Sequence, residues 1–244
     1  MGSITWGQEL AEAYDTIYAY ETEPSVLDPI VELLAEQAGD GDALEFGIGT
    51  GRVALALSRR GVAVQGVELS PHMAAQLATK PGAEAVPVII GDMTSARVPG
   101  SFSLVYLVAN ALMNVTTQEE QIAVFANAAA HLVPGGRLVV ELIVPQPRRS
   151  VGGDIGRVFA FTEDHVGIET FDDLVGQVAW SHHWSAVEGR LVRHSAPYRY
   201  VWPSELELMA RLNGFRLDAR WAGWDRTPFT SDSAKQVAVF EKAS

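Results

Sequence analysis

Two rhythms of apolar and polar positions alternate along the first half of the chain. Asp42 to Phe46, Ala63 to Glu68, Pro87 to Ile90, Phe102 to Ala109 and Arg137 to Val144 are short, nearly continuous apolar runs. Runs of that length predict strands buried on both faces. The segments between them predict helices. Arg52 to Arg60 is rich in Ala and Leu and is followed by Gly61, a helix stop. Ser70-Pro71 places a capping serine before a proline at the first helical position, so His72 to Thr79 reads as a helix. Thr117-Gln118-Glu119-Glu120 matches a capping box. The helix it opens runs to His131-Leu132 and halts at Pro134-Gly135-Gly136. Strands alternating with helices build βαβ units and a parallel sheet covered on both faces.

The pattern changes after Pro145. Arg157 to Trp202 shows little helical periodicity. Val178 to Val187 and Arg190 to Trp202 read as strands joined by a turn at Glu188-Gly189. A two-residue turn there sets His183 opposite His194, while the adjacent His182 and His183 point to opposite faces. Ser204-Glu205-Leu206-Glu207 reads as a second capping box, opening a helix that ends at Asn213-Gly214. Phe215 to Trp221 and Lys235 to Phe240 close the chain as two strands. Pro145 to Gly156 has the composition of a linker. An antiparallel β insertion therefore stands between the fifth strand and the last helix.

Composition narrows the class. The 244 residues are 48% hydrophobic and 20% charged, as in ordinary globular proteins. The net charge is −12, and the densest basic clusters are the pairs Arg59-Arg60 and Arg148-Arg149. A nucleic-acid binder needs a basic patch to neutralise phosphates, so no nucleic-acid partner is expected. The absence of cysteine removes thiol nucleophiles and disulfides and fits a reducing compartment. Met1 to Leu10 lacks the pattern of a signal peptide, and no run reaches the ~20 apolar residues of a membrane span. A cytoplasmic location without membrane partners is expected.

The strongest chemical feature is Leu44-Glu45-Phe46-Gly47-Ile48-Gly49-Thr50-Gly51-Arg52, between a strand and a helix. Glycines there let the backbone turn tightly and approach a ligand, and the helix start offers unpaired N–H groups. A dinucleotide fingerprint would require Gly or Ala where Arg52 stands. Glu45 would repel a pyrophosphate but suits an ammonium. Glu68 ends the second strand, where an acid can accept both ribose hydroxyls; on its own it reads equally well as a solvated strand end. Gly91-Asp92-Met93 ends the third, pairing a carboxylate for an amino group with a thioether for a flat base.

These motifs, with Leu132-Val133-Pro134-Gly135-Gly136-Arg137-Leu138, resemble the class I S-adenosylmethionine-dependent methyltransferases over about residues 40–145. The resemblance implies an α/β fold, a Rossmann-like doubly wound, mostly parallel seven-stranded sheet. It implies a core of residues 31–145 and 203–244, an N-terminal helical lid at 1–30, and an insertion at 146–202 rimming the acceptor site. It implies S-adenosylmethionine as cofactor and S-adenosylhomocysteine as product. Glu45, Gly47, Gly49, Gly51 and Arg52 would surround the methionine part. Glu68 would hold the ribose, Leu69 and Met73 would flank the adenine, and Asp92 and Met93 would meet its amino group and ring. Asn110 ends the fourth strand, near where the sulfonium would lie. The N/D-P-P-Y/F motif of nucleobase amino-methyltransferases is absent.

Leu10, Ala13, Tyr14, Ile17 and Tyr18 share a helical spacing, with Asp15 beside them. In related small-molecule methyltransferases such a helix closes over the cofactor, which would bring Tyr14 and Tyr18 to it; a plain amphipathic helix packed on the core fits equally well. His182, His183 and Tyr14 are the candidate catalytic groups, the histidines as general bases; exposed strand histidines more often do neither chemistry nor metal binding. No carboxylate cluster requires a metal. The expected reaction is methyl transfer to nitrogen or oxygen of a small molecule, with the insertion also offering a homodimer surface. Aminopropyl transfer and a non-catalytic nucleotide-binding protein are the alternatives.

Overall fold

A computed structural model describes residues 6–146 and 156–243. In chain order the strands are β1 (Ala43–Phe46), β2 (Val64–Glu68), β3 (Val88–Ile90), β4 (Phe102–Leu107), β5 (Leu132–Ile143), β6 (Gly156–Phe161), β7 (His165–Asp173), β8 (Val178–Val187), β9 (Arg190–Arg199), β10 (Phe215–Trp221) and β11 (Lys235–Lys242). The helices are α1 (Gln8–Ile17), α2 (Pro24–Ala38), α3 (Arg52–Arg59), α4 (Pro71–Ala78), α5 (Gln118–His131) and α6 (Pro203–Leu212).

Seven strands form one sheet in the order β10-β11-β5-β4-β1-β2-β3, in which β11 runs antiparallel to both neighbours and the remaining pairs are parallel. The chain leaves β1 in one direction through β2 and β3, then crosses back to β4 and β5. Ligands of open α/β sheets bind at such a reversal, beyond the carboxyl ends of the strands. One face of the sheet buries Phe46, Val105, Leu107 and Val140 against Phe125 of α5 and Leu206 and Met209 of α6. The other buries Leu104, Tyr106 and Val139 against Leu33 and Leu34 of α2 and Val53 and Leu57 of α3. The four remaining strands form a separate antiparallel sheet, β6-β7-β8-β9, between β5 and α6 in the chain. The α/β class, the mostly parallel seven-stranded sheet and the antiparallel insertion are thus present.

Local chemistry explains the boundaries. The Ser70 hydroxyl accepts from Met73 N at 3.3 Å, and the Thr117 hydroxyl from Glu120 N at 3.2 Å, capping α4 and α5. The strand β4 stops at Leu107 because Ala109 and Asn110 adopt left-handed backbone, at φ 50° and 61°. Pro134-Gly135-Gly136 sits inside β5 as an irregularity: the register with β4 shifts between Phe102, opposite Leu132, and Leu104, opposite Arg137.

Three sequence expectations are corrected. Ser204 does not cap α6, which begins at Pro203 after Trp202; Glu205 instead pairs with Arg199 at 2.7 Å. The segment ahead of β1 holds two α-helices, and α2 carries Pro29 in its interior, which hides its periodicity. The insertion has four strands, two more than the hairpin read from sequence. The expected linker at Pro145 to Gly156 falls largely outside the described residues, as do Arg148-Arg149 and the first five residues. Among the described residues, no helix is long and apolar enough to cross a membrane.

Candidate active site

A cavity of about 660 Å³ opens above the carboxyl ends of β1 to β4, between α1 and the four-stranded sheet. That lies within the roughly 300–1,000 Å³ of small-molecule sites. Its floor is the glycine turn. Gly47 and Gly49 line the cavity at φ 74° and 58°. Gly51 does not line it. A Cβ there would lie 2.5 Å from Leu77 Cδ1, so this glycine lets α3 pack against α4.

The strand ends supply the acids. Glu68 accepts from Gly49 N and Ser70 N, each at 2.8 Å. Burial raises its carboxyl above the usual range, and those two bonds offset part of the rise. Glu45 is buried, with the Tyr106 hydroxyl donating to it at 2.9 Å. Burial pushes its carboxyl up to about 8 against the partial offset of Tyr106 and the Arg52 charge. A buried carboxylate with no cation in hydrogen-bond contact is a place that an ammonium would satisfy. Asp92 accepts from Thr94 N at 2.8 Å and lines the same end as Leu69, Met73 and Met93. Asn110 accepts from Ile143 N at 2.7 Å through its side-chain oxygen, and its residue faces the cavity.

The N-terminal segment closes one side. Thr50 donates to Asp15 at 2.6 Å, and Lys80 pairs with Asp15 at 2.5 Å, tying α1 to the glycine turn. Ser70 Oγ donates to the Trp6 carbonyl at 2.6 Å. Arg52 pairs with Glu21 at 2.9 Å and donates to its carbonyl at 3.1 Å. Tyr14 and Tyr18 face the cavity with ring centroids 4.6 Å apart. Burial raises the Tyr14 phenol strongly and Tyr18 to about 12, with Glu21 adding to both, so each is a neutral donor at ordinary pH.

The inner face of the four-stranded sheet forms the opposite wall. Arg157 of β6, Glu169 of β7 and Ser181 of β8 stand in one cross-strand row; Gly167, His183 and His194 stand in another. Arg157 and Glu169 form an ion pair whose closest atoms are not aligned as a hydrogen bond. Tyr198 donates to the other Glu169 oxygen at 2.6 Å. His183 bonds His165 through Nδ1 at 3.0 Å and Ser181 through Nε2 at 2.6 Å. Burial, with the neighbouring imidazoles, lowers His183 to about 3 and His194 to about 4, so both stay neutral.

His182 does not belong to this wall. It points to the other face, bonded to Ser195 at 2.8 Å, with its ring stacked on Trp180 and tilted against Trp184. The alternation of strand side chains separates it from His183. All the other residues expected at the site except Gly51 line the one cavity. Sequence reasoning missed Glu21 and Glu169. The signal for Glu169 was the period of two along β7, invisible until that strand is delimited. Among the described residues, no group of three or more His, Asp or Glu is arranged to hold a metal ion.

A family profile described as "Methyltransferase domain" matches residues 43–136. The chain is 28% identical to the cypemycin N-terminal methyltransferase of a Streptomyces species, over 235 residues covering 93% of this chain and 95% of that one. It is 30% identical to the CcbJ methyltransferase of Streptomyces caelestis, whose solved structure matches over 100% of both chains with a TM-score of 0.87. The S-adenosylmethionine-bound structure of CalS10, an amino pentose methyltransferase of Micromonospora echinaspora, shares the fold: TM-score 0.70 and 21% identity over 100% of both chains.

Proposed function

The chain belongs to the S-adenosylmethionine-dependent methyltransferases, and from that premise we propose that it methylates an amine nitrogen of a small natural-product acceptor. The observation that carries nitrogen over oxygen is the low basicity of His183 and His194, the two imidazoles that line the cavity. His183 has both ring nitrogens engaged, and its neighbours and burial hold it near 3. An alcohol gains from a base that removes its proton during attack, whereas a neutral amine brings its own lone pair. The curated relative that is an N-terminal methyltransferase supports the same choice.

The cavity's charge fits this reading. Beside Glu45, which holds its proton near neutral pH in the free protein, its described lining holds six acids (Glu21, Glu68, Asp92, Glu120, Glu141 and Glu169) against Arg52, Arg157 and Lys235, and both arginines are paired with lining acids. A cleft with that excess raises the local concentration of cationic ligands. The cofactor, when bound, supplies an electrophilic methyl on a positively charged sulfur. Glu45 would receive the ammonium of its methionine part, against the Gly47 and Gly49 backbone. Glu68 would accept the ribose hydroxyls, and Asp92 the adenine amino group, with Leu69, Met73 and Met93 packing the base. Arg52 and the Tyr14 and Tyr18 phenols would meet the carboxylate, with Tyr14 nearest the acceptor. The 1–30 segment would act as the cover and the 146–202 insertion as the acceptor rim. Most of the acceleration would come from holding nitrogen and methyl in line.

Methyl-labelled S-adenosylmethionine, offered with amines and their alcohol isosteres, tests the proposal. Label on nitrogen with release of S-adenosylhomocysteine is expected. Label on oxygen, or release of methylthioadenosine, contradicts it.

A further inference from the structure

The hairpin histidines differ in one respect that the sequence does not show. His182 is engaged on the outer face. His183 is engaged at both nitrogens. His194 lines the cavity, and neither of its ring nitrogens has a hydrogen-bond partner among the described residues. Its position is nonetheless well held. Its ring stacks on His183 at a centroid distance of 4.3 Å and an interplanar angle of 8°. Trp6 packs on it at 5.8 Å. His183 is itself fixed by Ser181 and His165, and Trp6 is fixed through its carbonyl to Ser70, two residues beyond Glu68. A free imidazole edge is thus presented to the cavity by a stack anchored on both the insertion and the cofactor-side turn.

We propose that His194 is the residue that contacts the methyl acceptor, receiving a hydrogen bond from the N–H of a primary or secondary amine. This deepens the amine-methylation reading and rests on it. An amine N–H held by the unprotonated imidazole nitrogen leaves the lone pair directed elsewhere, so one contact sets the direction of attack. The amine nitrogen forms the N–CH3 bond with that lone pair as the S–CH3 bond breaks and its electron pair stays on sulfur. The added positive charge remains on the methylated ammonium, whose proton is lost to water after release. His194 takes up no proton. Its neutrality matters, because an imidazolium would repel both the sulfonium and the product ammonium. Burial and the nearby His165 hold the ring neutral, near 4.

The test uses full-length protein with 15N-labelled histidine and saturating S-adenosylhomocysteine at pH 7. The probes are L-alanyl-L-alaninamide and D-glucosamine, each at 50 mM. The His194 ring nitrogens, assigned by their loss in H194Q, should show a neutral imidazole and move on probe addition, while those of His182 stay fixed. In turnover with the amine that the wild type methylates fastest, H194A should lose at least about 30-fold in kcat. H194Q, which keeps an acceptor oxygen, should recover part of it, and both should bind S-adenosylhomocysteine within about twofold of wild type. A protonated His194, ring nitrogens unmoved by both probes, or H194A turning over like the wild type overturns the proposal. Label on oxygen instead of nitrogen defeats the amine reading itself, an outcome distinct from all three.

Discussion

Glu45 shows what a single buried carboxyl can report about ligand binding. In the free protein its carboxyl lies near 8 instead of 4.5, mainly through burial. Between those values the folded state holds a proton that the unfolded state has lost, so this group's contribution to stability declines as pH rises from about 4.5 to about 8. An ammonium set against Glu45 reverses the preference and favours the carboxylate. Cofactor binding near neutral pH should then expel up to one proton. The affinity for S-adenosylhomocysteine should strengthen from pH 6 toward 7.5, by at most about tenfold per pH unit. Above about 8 Glu45 is ionised in the free protein as well, so binding expels no proton and the gain ends. Titration calorimetry in buffers of different ionisation enthalpy reads the proton directly. E45Q should bind more weakly and without this slope. A flat profile in the wild type would mean that Glu45 does not meet the ammonium. Glu45 stood out in the sequence by its place before the glycines. That burial would push its carboxyl up did not, because burial depends on which elements pack over it, and the partial offset on Tyr106 and Arg52 arriving from elsewhere in the chain.

Two links between elements decide how the site is held. Gly51 caps α3 in left-handed backbone at φ 79°, with Leu77 of α4 filling the space a side chain would need. G51A should cost about 2 kcal/mol or more, from backbone strain and displaced packing together. For a chain of this size that lowers Tm by about 4–8 °C, measurable by calorimetry. Because Gly51 does not line the cavity, S-adenosylhomocysteine should still bind G51A below its transition. Arg199 of β9 is buried and bonds Gln121 of α5 at 2.6 Å and Glu205 of α6 at 2.7 Å. It is the polar rivet between insertion and core. E205A leaves that guanidinium buried without its charge partner, a change that typically costs about 3 kcal/mol or more. A Tm unchanged in E205A would show that the rivet carries no weight. The helices α3, α4 and α5 were legible because each is bounded by a local signal: Gly61 after α3, Ser70-Pro71 before α4 and Thr117 before α5. The rest was hidden for local reasons too. Pro29 masks α2, and Trp202-Pro203 starts α6 without the serine cap that Ser204 suggested. The register of His183 on His194 could be counted from the turn. Which face would turn inward could not, because Trp180, His182 and Trp184 give the outer face an equally aromatic character.

At the scale of the whole molecule, the chain builds one cavity from two sheets. The parallel sheet presents Glu45, Glu68 and Asp92 at its strand ends, and the four-stranded sheet presents Glu169, His183 and His194 across from them. The floor of that cavity was readable from sequence, since its residues fall at the carboxyl ends of successive strands. The opposite wall was not, since it depends on how an insertion folds back over the core. On the proposed division, the nucleotide lies on the parallel strand ends and the acceptor amine beneath the insertion. A crystal structure with S-adenosylhomocysteine decides between this and the reverse placement. The ligand's amine is expected within hydrogen-bond reach of Glu45, its ribose hydroxyls on Glu68, and open space between its sulfur and His194. A nucleoside lying against the four-stranded sheet, with Glu45 and Glu68 untouched, would contradict it.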